Sequence, residues 1–237
     1  MASLTKLMAL AARPSYWPAL MRGIAPTIEH CTPLESFNFQ TVIDVGANKG
    51  QFAYFAFCQW PRASLHCFEP LPGPRARLAA LLPKQTHVHD CALGNSETVT
   101  PMHLASREDS SSLLPLARSQ KDIFKMDEIG TVDVPVRRLD QLVGPHLARP
   151  ALLKIDVQGF EYEVLEGATG LLSQLDAIYV EASFMELYAS QRLADDVVTF
   201  LQDHGFTLAG RFNDAHDETG NLIQADLLFV PDTGGQN

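Results

Sequence analysis

The chain has 237 residues, 46% hydrophobic and 19% charged, and its 18 basic and 28 acidic side chains give a formal net charge of −10. At about 150 residues per domain this length suits a single α/β domain, and the composition excludes disordered and fibrous classes. The acidic balance also argues against a protein that grips nucleic acid through phosphates, which calls for a basic face.

Residues 1–40 contain Pro14, Pro18, Pro26 and Pro33 and read as a helical extension of short helices and turns. Within it Lys6 precedes the apolar run Leu7–Ala12, which Arg13-Pro14 ends well short of a signal-peptide core. A short amphipathic helix packed on the domain is expected; Tyr16, Trp17 and Arg22 leave a membrane-surface helix as the alternative. No stretch reaches the roughly 18 apolar residues that span a bilayer, so no membrane association is expected.

Thr41–Val45 then reads as a buried strand, Gln51–Trp60 as an apolar helix and Ser64–Phe68 as a second strand. Pro74–Leu82 reads as a helix with proline near its start, and Val88–Leu93 as a third strand. Residues 99–143 interrupt the pattern with the polar run Ser106–Ser112, a strand-like Val132–Val136 and a short helix Leu139–Val143. An insertion of that length reads as a lid or substrate wall. The alternation resumes with strand Leu152–Asp156, a helix from Glu161 to about Leu172, strand Ala177–Glu181 and helix Asp195–His204 capped by Gly205. Phe206–Leu208 and Ala225–Val230 close it as strands, and residues 232–237 read as a frayed tail. Such alternation over residues 41–231 predicts a mostly parallel sheet with helices on both faces. Cys31, Cys58, Cys67 and Cys91 form no CxxC pair, and a reducing, cytoplasmic setting fits them.

Chemistry gathers at the predicted strand ends. Asp44-Val45-Gly46-Ala47-Asn48-Lys49-Gly50 is a glycine turn from strand to helix, where backbone approaches a ligand closely and a helix start attracts an anion. It lacks the G-x-G-x-x-G of a dinucleotide site and the Gly-Lys-Ser/Thr of a P-loop, which excludes a nicotinamide dehydrogenase; on its own it is also a common structural turn. Glu69, after Leu65-His66-Cys67-Phe68, stands where an acid accepts the two hydroxyls of a ribose. Asp90, ahead of Cys91-Ala92-Leu93-Gly94, is placed to accept from the amine of a base. Together these acids and glycines describe a nucleoside pocket without a phosphate clamp.

The motifs Asp44–Gly50, Phe68-Glu69-Pro70, Ala92-Leu93-Gly94, Ser110-Ser111-Ser112-Leu113, Leu153–Glu161 and Val164-Leu165-Glu166-Gly167-Ala168 resemble the FkbM-type methyltransferases, from about Thr41 to Val230. The resemblance implies S-adenosylmethionine as cofactor. It also implies the class I methyltransferase fold, a Rossmann-like three-layer α/β sandwich on a seven-stranded, mostly parallel sheet with its last strand antiparallel. By position, Asp44, Gly46, Ala47, Asn48 and Gly50 would line the methionine part, with Asp156 beside it. Glu69 and Pro70 would stand at the ribose, Asp90, Cys91, Ala92 and Leu93 at the adenine, and Ser111 or Ser112 would close over it. The family pattern often has Glu where Gln158 stands, so no charged role is assigned there.

Transfer to an aliphatic hydroxyl needs alignment of acceptor, methyl and sulfur, and a group that takes the hydroxyl proton. Asp156, at a strand's carboxyl end, is the first candidate base; Lys154, two residues earlier, faces the same side and can pair with it. Glu181 is the second candidate, orienting the acceptor or holding the cofactor's ammonium group. Asp156 and Glu181 have no third ligand at a defined spacing, so no metal is expected. Phe184–Tyr188 reads as an acceptor wall or as core. The expected activity is O-methylation of a hydroxyl on a sugar (glycan or glycolipid) or a secondary metabolite. A non-catalytic cofactor-binding module of a larger assembly is the alternative.

Overall fold

The N-terminal region builds three short helices, α1 (Leu4–Ala11), α2 (Trp17–Leu20) and α3 (Cys31–Leu34), in a computed structural model that describes residues 4–144 and 146–232. Leu10, Tyr16, Ala19, Ile24 and Leu34 are buried in the domain core, so this region packs on the domain through its apolar side chains. Met8, Trp17 and Met21 face outward. No helix among the described residues is long and apolar enough to cross a membrane.

The elements that follow are β1 (Thr41–Val45), α4 (Gln51–Gln59), β2 (Ser64–Phe68), α5 (Pro72–Leu81), β3 (His87–His89), β4 (Ala92–Leu93) and β5 (Thr98–Ala105). Next come α6 (Arg118–Phe124), β6 (Glu128–Arg137), α7 (Leu139–Leu142), β7 (Ala151–Ile155) and α8 (Glu161–Glu166). The chain closes with β8 (Ala177–Ser183), α9 (Ala194–Asp203), β9 (Phe206–His216) and β10 (Leu222–Pro231). Seven strands form one sheet in the order β3-β2-β1-β7-β8-β10-β9, with β10 antiparallel to both its neighbours. This is the expected class I architecture. β1 and β7 lie at its centre and are buried throughout, as strands covered on both faces must be.

Successive side chains of a strand point to opposite faces. Ile43, Val45, Leu153, Ile155, Ile178, Val180, Leu227 and Phe229 enter the core on the α8–α9 side. Val42, Leu152, Ala177, Tyr179 and Leu228 enter the other core, with α4, α5 and the N-terminal helices. Asp44 and Lys154 share the parity of this second set, and they are register partners across β1 and β7.

Three local expectations are corrected. The predicted third strand Val88–Leu93 is two pieces: β3 pairs with β2, while β4 leaves the main sheet and pairs with β6. The insertion is richer in strand than expected, because β5 and β6 pair along their lengths and join β4 in a separate three-stranded sheet. The helix expected to reach Leu172 ends at Glu166, with only a 3-10 turn at Leu172–Gln174. Of the expected tail, only Asp232 lies among the described residues.

Candidate active site

The turn after β1 follows from its glycines. Gly46 has φ +78°, and a Cβ there would sit 1.8 Å from the Asp156 carbonyl oxygen, so only glycine fits against the loop after β7. Asn48 adopts a left-handed conformation, φ 47°, and its Oδ1 accepts from the Lys49 amide at 2.7 Å. Gly50, φ +95°, caps the start of α4 and packs beside Leu78 of α5.

Glu69 is buried just after β2, and two backbone amides hold its carboxylate: Asn48 N–H donates to Oε2 at 2.9 Å and Leu71 N–H to Oε1 at 2.8 Å. Burial pushes its pKa up to about 7, against the opposing pull of those amides and of Arg75. Arg75 clamps the same loop from α5 by donating to the Pro70 carbonyl at 2.6 Å.

The end of β7 carries the charges. Lys154 Nζ lies 3.2 Å from Asp44 Oδ1 and 3.5 Å from Asp156 Oδ2, under the ring of Phe52. Burial works against its charge, but Asp44 and then Asp156 outweigh it, and the ammonium stays protonated with a raised pKa. Gln158, held at φ 60°, donates from Nε2 to Asp156 Oδ1 at 2.8 Å and to Glu181 Oε2 at 3.1 Å. The Tyr188 hydroxyl, 2.8 Å from Gln158 Oε1, fixes which way that amide points. Burial, and then the neighbouring Asp156, push Glu181 well above the usual carboxylate range.

These residues border two adjoining cavities. One is a cleft of about 930 Å³ lined by Gly46, Ala47, Asn48, Glu69, Pro70, Cys91, Ala92, Leu93, Ser111, Lys154 and Asp156, which brings most of the expected site residues together. Its size and its mix of apolar walls with a few polar groups suit a nucleoside-sized ligand. The other, about 670 Å³, shares Gln51, Asp109, Asp156 and Gln158 with the first and adds Glu181, Gln120, Gln224 and Arg107.

Four expected residues line neither cavity. Asp44 is buried behind the first cleft against Lys154. Gly50 faces α5. Asp90 is exposed, because the chain turns there from β3 to β4. The Ser112 hydroxyl is spent on the Gln158 carbonyl, to which it donates at 2.6 Å. Of the two readings of Phe184–Tyr188, core packing is the one found: Leu187 and Tyr188 are fully buried with Ile223 and pack against residues of the insertion, so they support the second cavity from behind. Instead, Arg107, Gln120, Phe124 and Met126 of the insertion line it directly.

Sequence reasoning missed Gln158 as the amide joining the two acids, and Thr27 and His30, which line the cleft from the N-terminal region. The first had a signal, a neutral residue where the family pattern has an acid. The others had none. Among the described residues no cluster of three or more His, Cys, Asp or Glu is arranged to hold a metal.

Comparison with known proteins agrees with this geometry. The model of the methyltransferase FkbM domain matches residues 44–208. The chain is 29% identical over 192 residues to the 31-O-demethyl-FK506 methyltransferase FkbM of Streptomyces tacrolimicus, covering 70% of this chain and 72% of that protein. It is 28% identical over 181 residues to the hexuronic acid methyltransferase AglP of Haloferax volcanii, covering 72% and 70%. Among solved structures it is similar to the methyltransferase FkbM of Methylobacillus flagellatus KT, with TM-score 0.55 and 15% identity over 90% of this chain and 50% of that one; this likeness concerns the fold. The chain belongs to the FkbM family of S-adenosylmethionine-dependent methyltransferases.

Proposed function

We propose that the chain transfers a methyl group to a hydroxyl of a polar acceptor, a sugar or a polyhydroxylated secondary metabolite, with Asp156 as the general base. The observation that carries this reading is that Asp156 borders both cavities at once. Its side chain is about a third exposed, and Gln158 and Lys154 hold its two oxygens from the sides.

The residues of the first cleft fit S-adenosylmethionine. The Gly46 turn has no room for a Cβ, the Glu69 carboxylate is fixed at the end of β2, and Cys91, Ala92, Leu93 and Leu113 offer apolar surface for a base. Glu69 accepts from the ribose hydroxyls and Gly46 to Asn48 line the methionine side. The cofactor, when bound, supplies a methyl group already activated by its sulfonium. Everything else falls to the protein: it aligns the acceptor oxygen and removes its proton as the new bond forms, and alignment alone can supply on the order of 7–11 kcal/mol.

The second cavity sets the acceptor class. Gln120, Gln158 and Gln224, with Asp109 and Glu181, offer donors and acceptors suited to several hydroxyls. Gln120 is buried, and its Oε1 has no partner in the protein. The relatives are consistent with a hydroxylated acceptor, one acting on 31-O-demethyl-FK506 and one on a hexuronic acid.

Asp156→Asn tests the base. Turnover on a hydroxylated acceptor should fall by about 100-fold or more while S-adenosylhomocysteine still binds, as expected when a general base is lost. Equal loss of both would make Asp156 part of the cofactor site, and unchanged turnover would leave the chain without this base.

A further inference from the structure

The residues that close the methionine end of the cleft do not all belong to the matched domain, which begins at residue 44. Thr27 and His30 come from the region ahead of β1 and line the cleft beside Gln51, Phe52 and Lys154. Two buried groups there lack a hydrogen-bond partner in the protein, Thr27 Oγ1 and Gln51 Oε1. Buried polar groups are nearly always paired, so two orphans on one cleft wall indicate a ligand that supplies the missing partners.

The segment that brings Thr27 there is firmly seated. The Thr27 amide donates to the Gln51 carbonyl at 3.4 Å. The His30 ring sits edge-on to Phe52 at 5.3 Å and to Tyr179 at 5.3 Å. Its Nδ1 lies 3.1 Å from the Tyr179 hydroxyl, which itself donates to Asp226 Oδ2 at 2.9 Å, so Nδ1 is the donor; burial pushes the ring's pKa down to about 3 and keeps it neutral. With His30 neutral, the charges near this end are Lys154, Asp44, Asp156 and Asp226, one positive against three negative. That surplus favours a cationic group, and the Thr27 hydroxyl is the donor left over for an anionic one.

We propose that residues 27–30 complete the cofactor site: the Thr27 hydroxyl donates to the α-carboxylate of the methionine end, and the Gln51 amide oxygen accepts from its ammonium group. This rests on the cofactor reading given above. It makes the region ahead of the family domain a working part of the binding site, with His30 as the positioning residue that holds Thr27 in place.

The test compares two ligands that share the adenosine end. S-adenosylhomocysteine carries the amino-acid group and 5′-methylthioadenosine does not. In titration calorimetry on the full chain, Thr27→Val should weaken S-adenosylhomocysteine roughly 10- to 100-fold, as expected for a lost hydrogen bond to a charged group, and leave 5′-methylthioadenosine within twofold. Thr27→Ser, which keeps the hydroxyl, should restore the first affinity. Equal weakening of both ligands would show a merely structural threonine and overturn the proposal, as would unchanged binding of both. A wild-type chain that bound neither ligand would fail at the cofactor reading itself and take the proposal with it, a result distinct from either of the others.

Discussion

The two faces of the central sheet are built to different specifications. On the α8–α9 side the positions of β1, β7, β8 and β10 are aliphatic apart from Thr41 and one phenylalanine, and none of them carries a charge. On the α4–α5 side the same strands carry a row of polar partners, Asp44 beside Lys154 beside Tyr179, with Glu181 beside Asp226 one step further on. The first face contributes burial, about 25 cal/mol per Å² of apolar surface removed from water. The second holds charges in low dielectric, where removing one partner strands the other. Adjacent residues of β7 therefore answer to different demands: Leu153 to packing and Lys154 to electrostatics.

Lys154→Met should break the contrast most severely. It leaves Asp44 as a buried carboxylate without its ammonium, and about 3–5 kcal/mol of stability should be lost in a denaturant titration. Adding Asp44→Leu should recover most of that loss while turnover stays absent; a double variant no more stable than the single one would show that the pair is not what the single variant breaks. Leu153→Ala, one residue away, should cost about 3 kcal/mol through a cavity on the apolar face. Its kcat at temperatures where the chain is folded should stay near wild type, and a selective loss of kcat would mean the two faces are not independent.

Glu69 gives a pH test. Its folded pKa is raised to about 7, so the stability tied to it is full below about 4.5, where the carboxyl is protonated in both states, and is lost as pH rises through 7. Binding runs the other way, because only the carboxylate can accept from both ribose hydroxyls. The affinity for S-adenosylhomocysteine should drop severalfold between pH 7 and 6 and level off above 8, and Glu69→Gln should bind weakly with little pH dependence. A wild-type profile flat from pH 6 to 8 would remove Glu69 from the ribose. The smallest effect concerns His30, whose pKa burial pushes down to about 3. The stability tied to its neutral ring is present above 6.5 and erodes as pH falls below that, so melting should shift down between pH 7 and 5 and shift less in His30→Gln.

Parts of this organisation are legible in the sequence because their determinants are local. Thr41–Val45 and Ser64–Phe68 stand in the structure with the bounds read from their apolar runs and the glycine or proline that follows. β9 is mostly exposed and β5 has a single buried residue, so neither carries a clear hydrophobic pattern and most of their length is invisible in the sequence. The break between His89 and Ala92 depends on β4 finding β6, more than forty positions away in the chain, which no local signal records. Phe184–Tyr188 shows why a wall and a core are hard to tell apart, since an apolar segment has the same composition whether it lines a cavity or fills the space behind one. The second cavity was the least legible feature: Gln51, Gln120, Gln158 and Gln224 are ordinary glutamines until the fold gathers them.

The contact between Gly46 and the Asp156 carbonyl has a practical consequence for anyone dissecting this enzyme. The main chain of the Gly46 turn lies directly against the main chain that carries Asp156, the proposed base, and the Asp156 amide is tied back to the Val45 carbonyl at 3.1 Å. Any side chain at position 46 must push the two loops apart. A defect introduced there as a binding lesion would then surface in the chemical step as well. Substitutions at this seam report on both functions together, and the two can be separated only by altering side chains on either side of it.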